Sequence, residues 1–340
     1  PGVIKKLAPY LKDQNLSHPL IVTDPNVAEL DFFKKIVEDL KRQQLKPEIF
    51  CNIHKNPVKS DVLKGGDAYH QLKRDSVIGI GGGAAMDVAR AIVLRVNHHR
   101  DLFDYDDLVG GSKYVTEPVP HFIAVPTTAG TGSEVGRSAV ISEDLPALQK
   151  GKFFVYVIEC EDGSLYKGIA KDFLKRWDKH ITGKGAEWTK IHPPKHLIHW
   201  EDFNSLEKAV KREKFLKSGK GRSWLKAQKS KGKLRQAGKT KKKRILFHPK
   251  LMAKMVFADP ELTYDLPQFI TAATGMDALS HNMEAFLARG FHPLCDGIAL
   301  EGIKLIFGSL DNAVNKPDAE SRSKMMIASL MGAVAFQKGL

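Results

Sequence analysis

Three sets of residues have the types and spacing to do chemistry. Gly81, Gly82 and Gly83 stand between an apolar stretch and a helix-like one in GIGGGAAMDVARA, residues 79–91. Such a turn lets a phosphate approach the backbone, and the helix start that follows offers N–H donors and the positive end of its dipole. A merely structural tight turn has the same composition. Asp277 and His281 are spaced i, i+4, on one helix face where they can share a cation. A capped, solvated helix is the plainer reading of so short a motif. The third set lies mid-chain. Arg176 and His180 are also i, i+4, beside an apolar stripe of Leu174, Trp177 and Ile181, where a cation suits a phosphate oxygen. Glu213 interrupts the inward stripe Leu206, Ala209, Val210, Leu216 of a later helix. An unpaired buried carboxylate is costly, so a metal ion or an arginine is expected beside it. Tyr156 and Tyr166 fall in two β-rich runs, and their plainest reading is core packing.

The elements that must position these residues are legible in outline. Residues 20–24 (LIVTD), EIFCNI, SVIGIGGG and HFIAVPTT are short apolar runs ending in turn residues, and DFFKKIVEDLKRQQ has helical periodicity. Strands alternating with helices predict an α/β domain with a parallel sheet. After Leu266 the strand signal stops and three segments with helical spacing follow. The middle breaks this order. FFVYVIE and SLYKGI are strand-like and joined through CEDG, whose Asp162-Gly163 is a hairpin signal. A helix is expected at KDFLKRWDKHI with Asp172 as N-cap, and another from Asn204 with Glu207 in capping-box position.

Charge separates the same regions. The chain of 340 residues carries a net +14, yet residues 145–244 hold 27 Lys and Arg against 10 Asp and Glu. The remainder holds 26 against 29. One central segment therefore carries all the excess positive charge, the pattern of a polyanion-binding module set in a near-neutral host. Residues 227–242 read as a basic linker, either solvated or tracking phosphates. No apolar run approaches the roughly 18 residues of a membrane helix, and the opening residues PGVIKKLAPY have no signal-peptide core. Cys51, Cys160 and Cys295 are far apart, so a reduced, cytoplasmic setting is expected.

VPTTAGTGSEV (125–135), ADPELT (258–263) and AATGMDALSHNMEAF (272–286), with the glycine turn, resemble the iron-containing alcohol dehydrogenase family over residues 1–144 and about 243–340. The resemblance implies a dehydroquinate-synthase-like NAD-binding α/β domain (1–144 and 243–266) and the start of an all-helical metal-binding domain (267–340). It implies hydride transfer between a small alcohol or aldehyde and NAD, with Fe2+ or Zn2+ as metal, and association into a homo-oligomer. Asp24 matches the position that meets the adenosine ribose, where a carboxylate favours NAD by repelling the 2′-phosphate of NADP. Asn56, Gly82, Gly83, Asp87, Thr127, Thr128 and Thr131 match further cofactor contacts. Ala84 stands where a serine is usual, and Lys243 matches a lysine near the nicotinamide. Asp277 and His281 match the first two metal ligands. The other two are histidines of a later helix, expected beyond Leu340, so metal binding by these two alone should be weak.

Residues 151–226 resemble the GIY-YIG nuclease family in its small, URI-like form, implying a nested α+β domain. The first motif falls at Phe154-Val155-Tyr156 and the second at Tyr166-Lys167-Gly168, with Arg176, His180 and Glu213 following at matching spacing. Ile169 replaces a lysine found in the excision-repair branch. The resemblance implies that Glu213 holds Mg2+ or Mn2+, that Arg176 neutralises a scissile phosphate of DNA, and that Tyr156 is the general base, assisted by Tyr166 or His180. Three functions follow as alternatives: an alcohol dehydrogenase with an endonuclease-like insert and an incomplete metal site, a DNA endonuclease in a remnant dehydrogenase scaffold, or a non-catalytic nucleic-acid-binding module.

Overall fold

A computed structural model describes residues 1–144, 152–230, 237–238 and 243–339. Along the chain come α1 (Leu7–Asp13), β1 (Pro19–Val22), α2 (Pro25–Ala28), α3 (Asp31–Arg42), β2 (Glu48–Phe50), α4 (Lys59–Gln71), β3 (Ser76–Gly81), α5 (Gly83–Asn97), β4 (His121–Pro126) and β5 (Ser138–Ser142). The middle holds β6 (Phe153–Cys160), β7 (Leu165–Ala170), α6 (Phe173–Ile181), α7 (Glu187–Ile191), β8 (Pro194–Phe203), α8 (Leu206–Lys217), α9 (Gly219–Ser230) and β9 (Ala237–Gly238). The last third holds β10 (Lys243–Phe247), β11 (Met255–Val256), α10 (Gln268–Leu287), α11 (Pro293–Asn315) and α12 (Ala319–Ala335). These divide into two compact units: Pro1–Ile141 with Arg244–Leu340, called here the host, and Ser142–Lys243, the guest.

In the host, five strands form a parallel sheet in the order β11-β4-β3-β1-β2. Its central strands are apolar throughout because both faces are covered. Leu20, Val22, Val77, Phe122 and Ala124 meet α4 and α5 on one face. Ile21, Ile78, Ile80, Ile123 and Val125 meet α1 and α3 on the other. β5 pairs with β10 in a separate two-stranded sheet. Helices α10, α11 and α12 pack together around Ala278, Ile306, Ala313, Met325 and Ala328.

In the guest, the sheet runs β7-β6-β8-β9 and is antiparallel. Alternation along β6 sends Phe154, Tyr156, Ile158 and Cys160 to the face covered by Phe173 and Trp177 of α6. Val155 and Val157 point to the opposite face, covered by Ala209 and Leu216 of α8 and Leu225 of α9.

Some expectations need correction. The N-cap of α8 is Ser205, not Asn204, with no side-chain cap bond, and Glu207 turns instead to Lys211 at 2.7 Å. Leu206, expected inside, is exposed, because it sits at the first turn, before the helix reaches the sheet. α9 continues to Ser230, so residues 227–230 of the expected linker are helical, and 237–238 add a short strand to β8. The rest of that linker, 231–236 and 239–242, lies outside the described residues, as do 145–151 at the first junction. The expected N-cap Asp172 accepts a hydrogen bond from Lys175 N at 3.1 Å.

Candidate functional site

The host gathers its glycine turn and its threonine loop. Gly81 closes β3 with φ +150°, and a Cβ there would lie 2.7 Å from the Ala85 Cβ and 3.6 Å from Asp24 Oδ2. Gly82 is the N-cap of α5, and no side chain caps the first-turn N–H groups. These donors and the dipole end are thus available to an anion. A Cβ on Gly82 would sit 3.3 Å from Thr128 Oγ1, and one on Gly83 3.8 Å from Thr131 Oγ1. Thr127 is buried, and its N–H donates to Gly81 O at 3.0 Å. Backbone, hydroxyls and missing Cβ atoms together form a cradle that fits a diphosphate. Half-buried Asp24 also caps α2: its Oδ1 accepts from Asn26 N at 3.0 Å and Val27 N at 3.1 Å, leaving Oδ2 toward the glycine turn. Ala84 is half-buried in the first turn of α5, and Asn56 is exposed.

The loop is held from below by a residue sequence reasoning missed. Arg90, wholly buried on α5, donates to Leu251 O at 3.0 Å, Ser138 O at 2.7 Å and Ser133 O at 2.6 Å, with Asp87 Oδ1 at 3.8 Å. Asp87 also accepts from Ser133 Oγ at 3.4 Å. Glu134 beside it is buried too, and burial pushes its carboxyl up to about 7, against the opposing pull of Arg90. The one available signal was an arginine in the apolar helix AMDVARAIVLRV. From above, Gly132 (φ +60°) packs so closely on α12 that a Cβ would meet the Ala333 Cβ at 2.4 Å, and Ser329 Oγ donates to Gly130 O at 3.1 Å.

Asp277 and His281 project from α10 with His281 Nε2 3.7 Å from Asp277 Oδ1, close enough to share one ion. Among the described residues, no group of three or more His, Cys, Asp or Glu side chains could hold a metal. The residues present supply two donors and no closed shell. Lys243 is exposed at the start of β10.

In the guest, Tyr156, Tyr166, Arg176 and His180 come together. The Tyr156 hydroxyl lies 2.9 Å from His180 Nε2, and His180 Nδ1 lies 2.7 Å from Thr189 Oγ1. Thr189 donates its own proton to Ala186 O at 2.9 Å, so its oxygen accepts from Nδ1–H. That fixes the tautomer: Nε2 is the acceptor, facing the Tyr156 O–H. Tyr166 packs against the His180 ring with centroids 5.0 Å apart. Burial and the Arg176 cation lower His180 to about 4. Burial raises Tyr156 above its usual value, with a hydrogen bond from Arg176 pulling the other way. The resting pair is neutral tyrosine and neutral histidine, so Tyr156 cannot be a preformed phenolate. Gly168 leaves room for this ring: a Cβ would lie 2.6 Å from the Tyr156 hydroxyl and force it to move. Thr189, which orients the histidine, carried no sequence signal.

Glu213 is placed differently. It lies on α8, which packs against the opposite sheet face, and its carboxylate meets Lys217 Nζ at 2.5 Å. Of the stripe beside Arg176, Trp177 is buried and Ile181 packs on the same core, while the Leu174 side chain lies outside the described residues. Among the described residues no helix is long and apolar enough to cross a membrane.

Comparison with known proteins agrees with this division. The family model for iron-containing alcohol dehydrogenase matches residues 1–156, and the model for the C-terminal region of that family matches 271–339. These two segments of the chain are similar to the iron-containing alcohol dehydrogenase family. The model for the GIY-YIG catalytic domain matches residues 152–228. Relatives include the 4-hydroxybutyrate dehydrogenase of Cupriavidus necator, 28% identical over all of this chain and 64% of its own length. The NAD-dependent methanol dehydrogenase of Bacillus methanolicus is 26% identical over 99% of this chain and 63% of its own length. The chain thus spans less than two thirds of these relatives. Similar solved structures are an alcohol dehydrogenase from Oenococcus oeni (TM-score 0.67, 22% identity, 99% of this chain and 63% of that one) and a sulfoacetaldehyde reductase from Bifidobacterium kashiwanohense in complex with NAD+ (TM-score 0.63, 22% identity, 98% and 63%). The α/β sheet with its helical continuation is the fold they share.

Proposed function

We propose that the host is an NAD-linked alcohol dehydrogenase scaffold and that the guest nested in it cleaves phosphodiester bonds of DNA. The observation behind the host reading is the cradle of Gly81, Gly82, Gly83, Thr128 and Thr131 at the uncapped start of α5. NAD bound there would supply the hydride acceptor for a small alcohol. The pyrophosphate would take the α5 N–H groups, Asp24 Oδ2 would meet the adenosine ribose, and Asn56, Asp87 and Lys243 would border the cofactor. Asp277 and His281 would give two of a metal's ligands, so hydride transfer needs further donors, and no step is assigned to a metal. Assembly of host copies into a homo-oligomer belongs to the same reading. Calorimetric titration of the chain with NAD tests it: saturable binding supports the cradle, and none overturns it.

The guest reading rests on the oriented chain from Tyr156 through His180 to Thr189, next to Arg176. Arg176 would hold the scissile phosphate. As a water attacks phosphorus and the bond to the leaving oxygen breaks, Tyr156 would take the water's proton while passing its own to His180 Nε2, a neutral, correctly oriented imidazole, and the leaving oxygen would take a proton from solvent. Glu213 would hold Mg2+ or Mn2+ on the α8 side of the sheet, where charge neutralisation of a phosphate is its chemistry; Mg2+ commonly keeps several waters and one or two carboxylates, which a single glutamate allows. Incubating the chain with supercoiled DNA and either metal should give nicks that Glu213→Ala abolishes. Absence of nicking with both metals overturns this reading and leaves DNA binding alone.

A further inference from the structure

The guest has a concave site on the face away from Tyr156 and His180. A cavity of about 400 Å3 has an apolar floor of Leu165, Ile198 and Leu225 and three cations, Lys167, Arg222 and Lys226, around it. That volume lies within the roughly 300–1,000 Å3 of ligand pockets. Among the described residues none of the three cations pairs with a carboxylate. Lys167 is half-buried, and its Nζ donates one bond, to Leu165 O at 2.8 Å, which leaves two N–H groups for a ligand. Alternation along β7 explains the placement: Tyr166 joins the cluster on one face, while Leu165 and Ile169 pack on the other, the face of Lys167.

We propose that this pocket binds one nucleotide of a nucleic-acid strand, its phosphate on Lys167, Arg222 and Lys226 and its sugar or base on the apolar floor. An anion is the missing partner of three like charges gathered over apolar surface. Burial and the neighbouring cations Arg222 and Lys217 hold the Lys167 amine below its usual range, so an anion beside it would favour the charged amine. β7 is the edge strand, so a strand crossing it would meet the Arg176 side and the pocket side in succession. The pocket would thus fix where along the strand the scissile bond falls. This deepens the guest reading and rests on it for its substrate class.

The probe is the 5′-phosphorylated dinucleotide pdTpdT, titrated calorimetrically into the full chain, with dTpdT alongside. Lys167→Gln/Arg222→Gln should weaken pdTpdT at least tenfold, and dTpdT should bind the parent at least tenfold more weakly than pdTpdT. The same double variant should lower the salt slope for a single-stranded 12-mer by about 0.7, the share of the one phosphate that the pocket holds. Lys184→Gln/Lys208→Gln removes the same charge from exposed positions and should stay within twofold of the parent. Tryptophan fluorescence, which reports only the guest, checks that both doubles fold. Equal losses in the two doubles, no loss in the pocket double, or no binding of pdTpdT by the parent each overturn the pocket. Nicking lost with the pocket intact overturns only the nuclease reading, and nicking kept with normal site choice in the pocket double overturns only the pocket.

Discussion

Host and guest prepare their chemistry by different means. In the guest, the reacting groups are side chains that touch one another: Tyr156, His180 and Thr189 form a hydrogen-bonded line beside Arg176. In the host, the prepared surface is backbone N–H, threonine hydroxyl and absent Cβ, and buried Arg90 holds the loop from behind through Ser133 O, next to the buried Glu134. A site that brings its own acid and base must bury and orient them. A site that borrows its reactivity from a bound molecule needs mainly shape and donors. Mutations should therefore act on rate in the guest and on affinity in the host.

The largest effect expected on that contrast is in the guest. Arg176→Ala should lower nicking about 10³-fold, the scale on which a single charge-stabilising donor acts, with at most a modest loss of DNA affinity. Tyr156→Phe, which keeps the packing and breaks the proton line, should cost about 10²–10³-fold. A rate within fivefold of the parent in both would remove the cluster from the mechanism.

The most strongly shifted groups of the two sites, His180 and Glu134, respond to pH in opposite senses, although burial also lowers His98, His121 and His248 of the host, which act in the sense of His180. His180 is held at about 4, below the ordinary 6.5, so the folded guest excludes a proton that the unfolded chain binds. Guest stability is unaffected above about 6.5 and falls as the pH drops toward 4, by up to about 3 kcal/mol. Glu134 is raised from 4.5 to about 7, so the folded host keeps a proton that the unfolded chain releases. Its effect is absent below about 4.5, and host stability is lost as pH rises through 7, again by up to about 3 kcal/mol. All four tryptophans, Trp177, Trp188, Trp200 and Trp224, are in the guest, so denaturant curves followed by their fluorescence isolate it. Amide exchange across β3 and α5 reads the host. No change in the host slope in Glu134→Gln, or none in the guest slope in His180→Gln, would break the contrast.

How much of this was legible beforehand follows the range of the interactions. Apolar runs named the parallel strands, and i, i+4 spacing put Arg176 beside His180, because both signals are local. The face on which Glu213 falls was not legible: it depends on which side of the sheet α8 packs, a tertiary choice that the stripe Ala209, Leu216 fits either way. Thr189, Arg90 and Glu134 escaped for the same reason. Their partners are separated along the chain, with Arg90 bonding Leu251 O across 161 residues. The capping box at Asn204 failed because local propensity gave way to where the strand before it ends.

Packing gives a smaller effect. Gly168→Ala would place a methyl 2.6 Å from the Tyr156 hydroxyl, so the ring must move, at a cost of about 1–3 kcal/mol for overpacking a core. Gly219, with nothing within 4 Å of its added Cβ, is the control and should be neutral on substitution by alanine. Denaturant midpoints by tryptophan fluorescence measure both, and Gly168→Ala should also slow nicking because the hydroxyl leaves His180. Equal midpoints for the two variants would show that the strand shifts freely to admit the methyl.

The smallest effect concerns Asp24, where a structural and a selective role coincide. Its Oδ1 caps α2, and its Oδ2 faces the glycine turn. Asp24→Ala would remove both and decide nothing. Asp24→Asn retains an oxygen that accepts from Asn26 N and Val27 N, and asparagine caps helices about as well as aspartate. It removes only the charge. If that charge selects NAD by repelling the 2′-phosphate, the ratio of NADP to NAD dissociation constants should fall about tenfold, or about 1.4 kcal/mol. The change should appear mainly as tighter NADP, since NAD loses only part of one hydrogen bond to the ribose. The preference should also weaken with salt in the parent and much less in the variant, because screening acts on the charge pair and not on the cap. An unchanged ratio would mean that Asp24 is a helix cap and that selection, if the host has any, comes from the threonine loop.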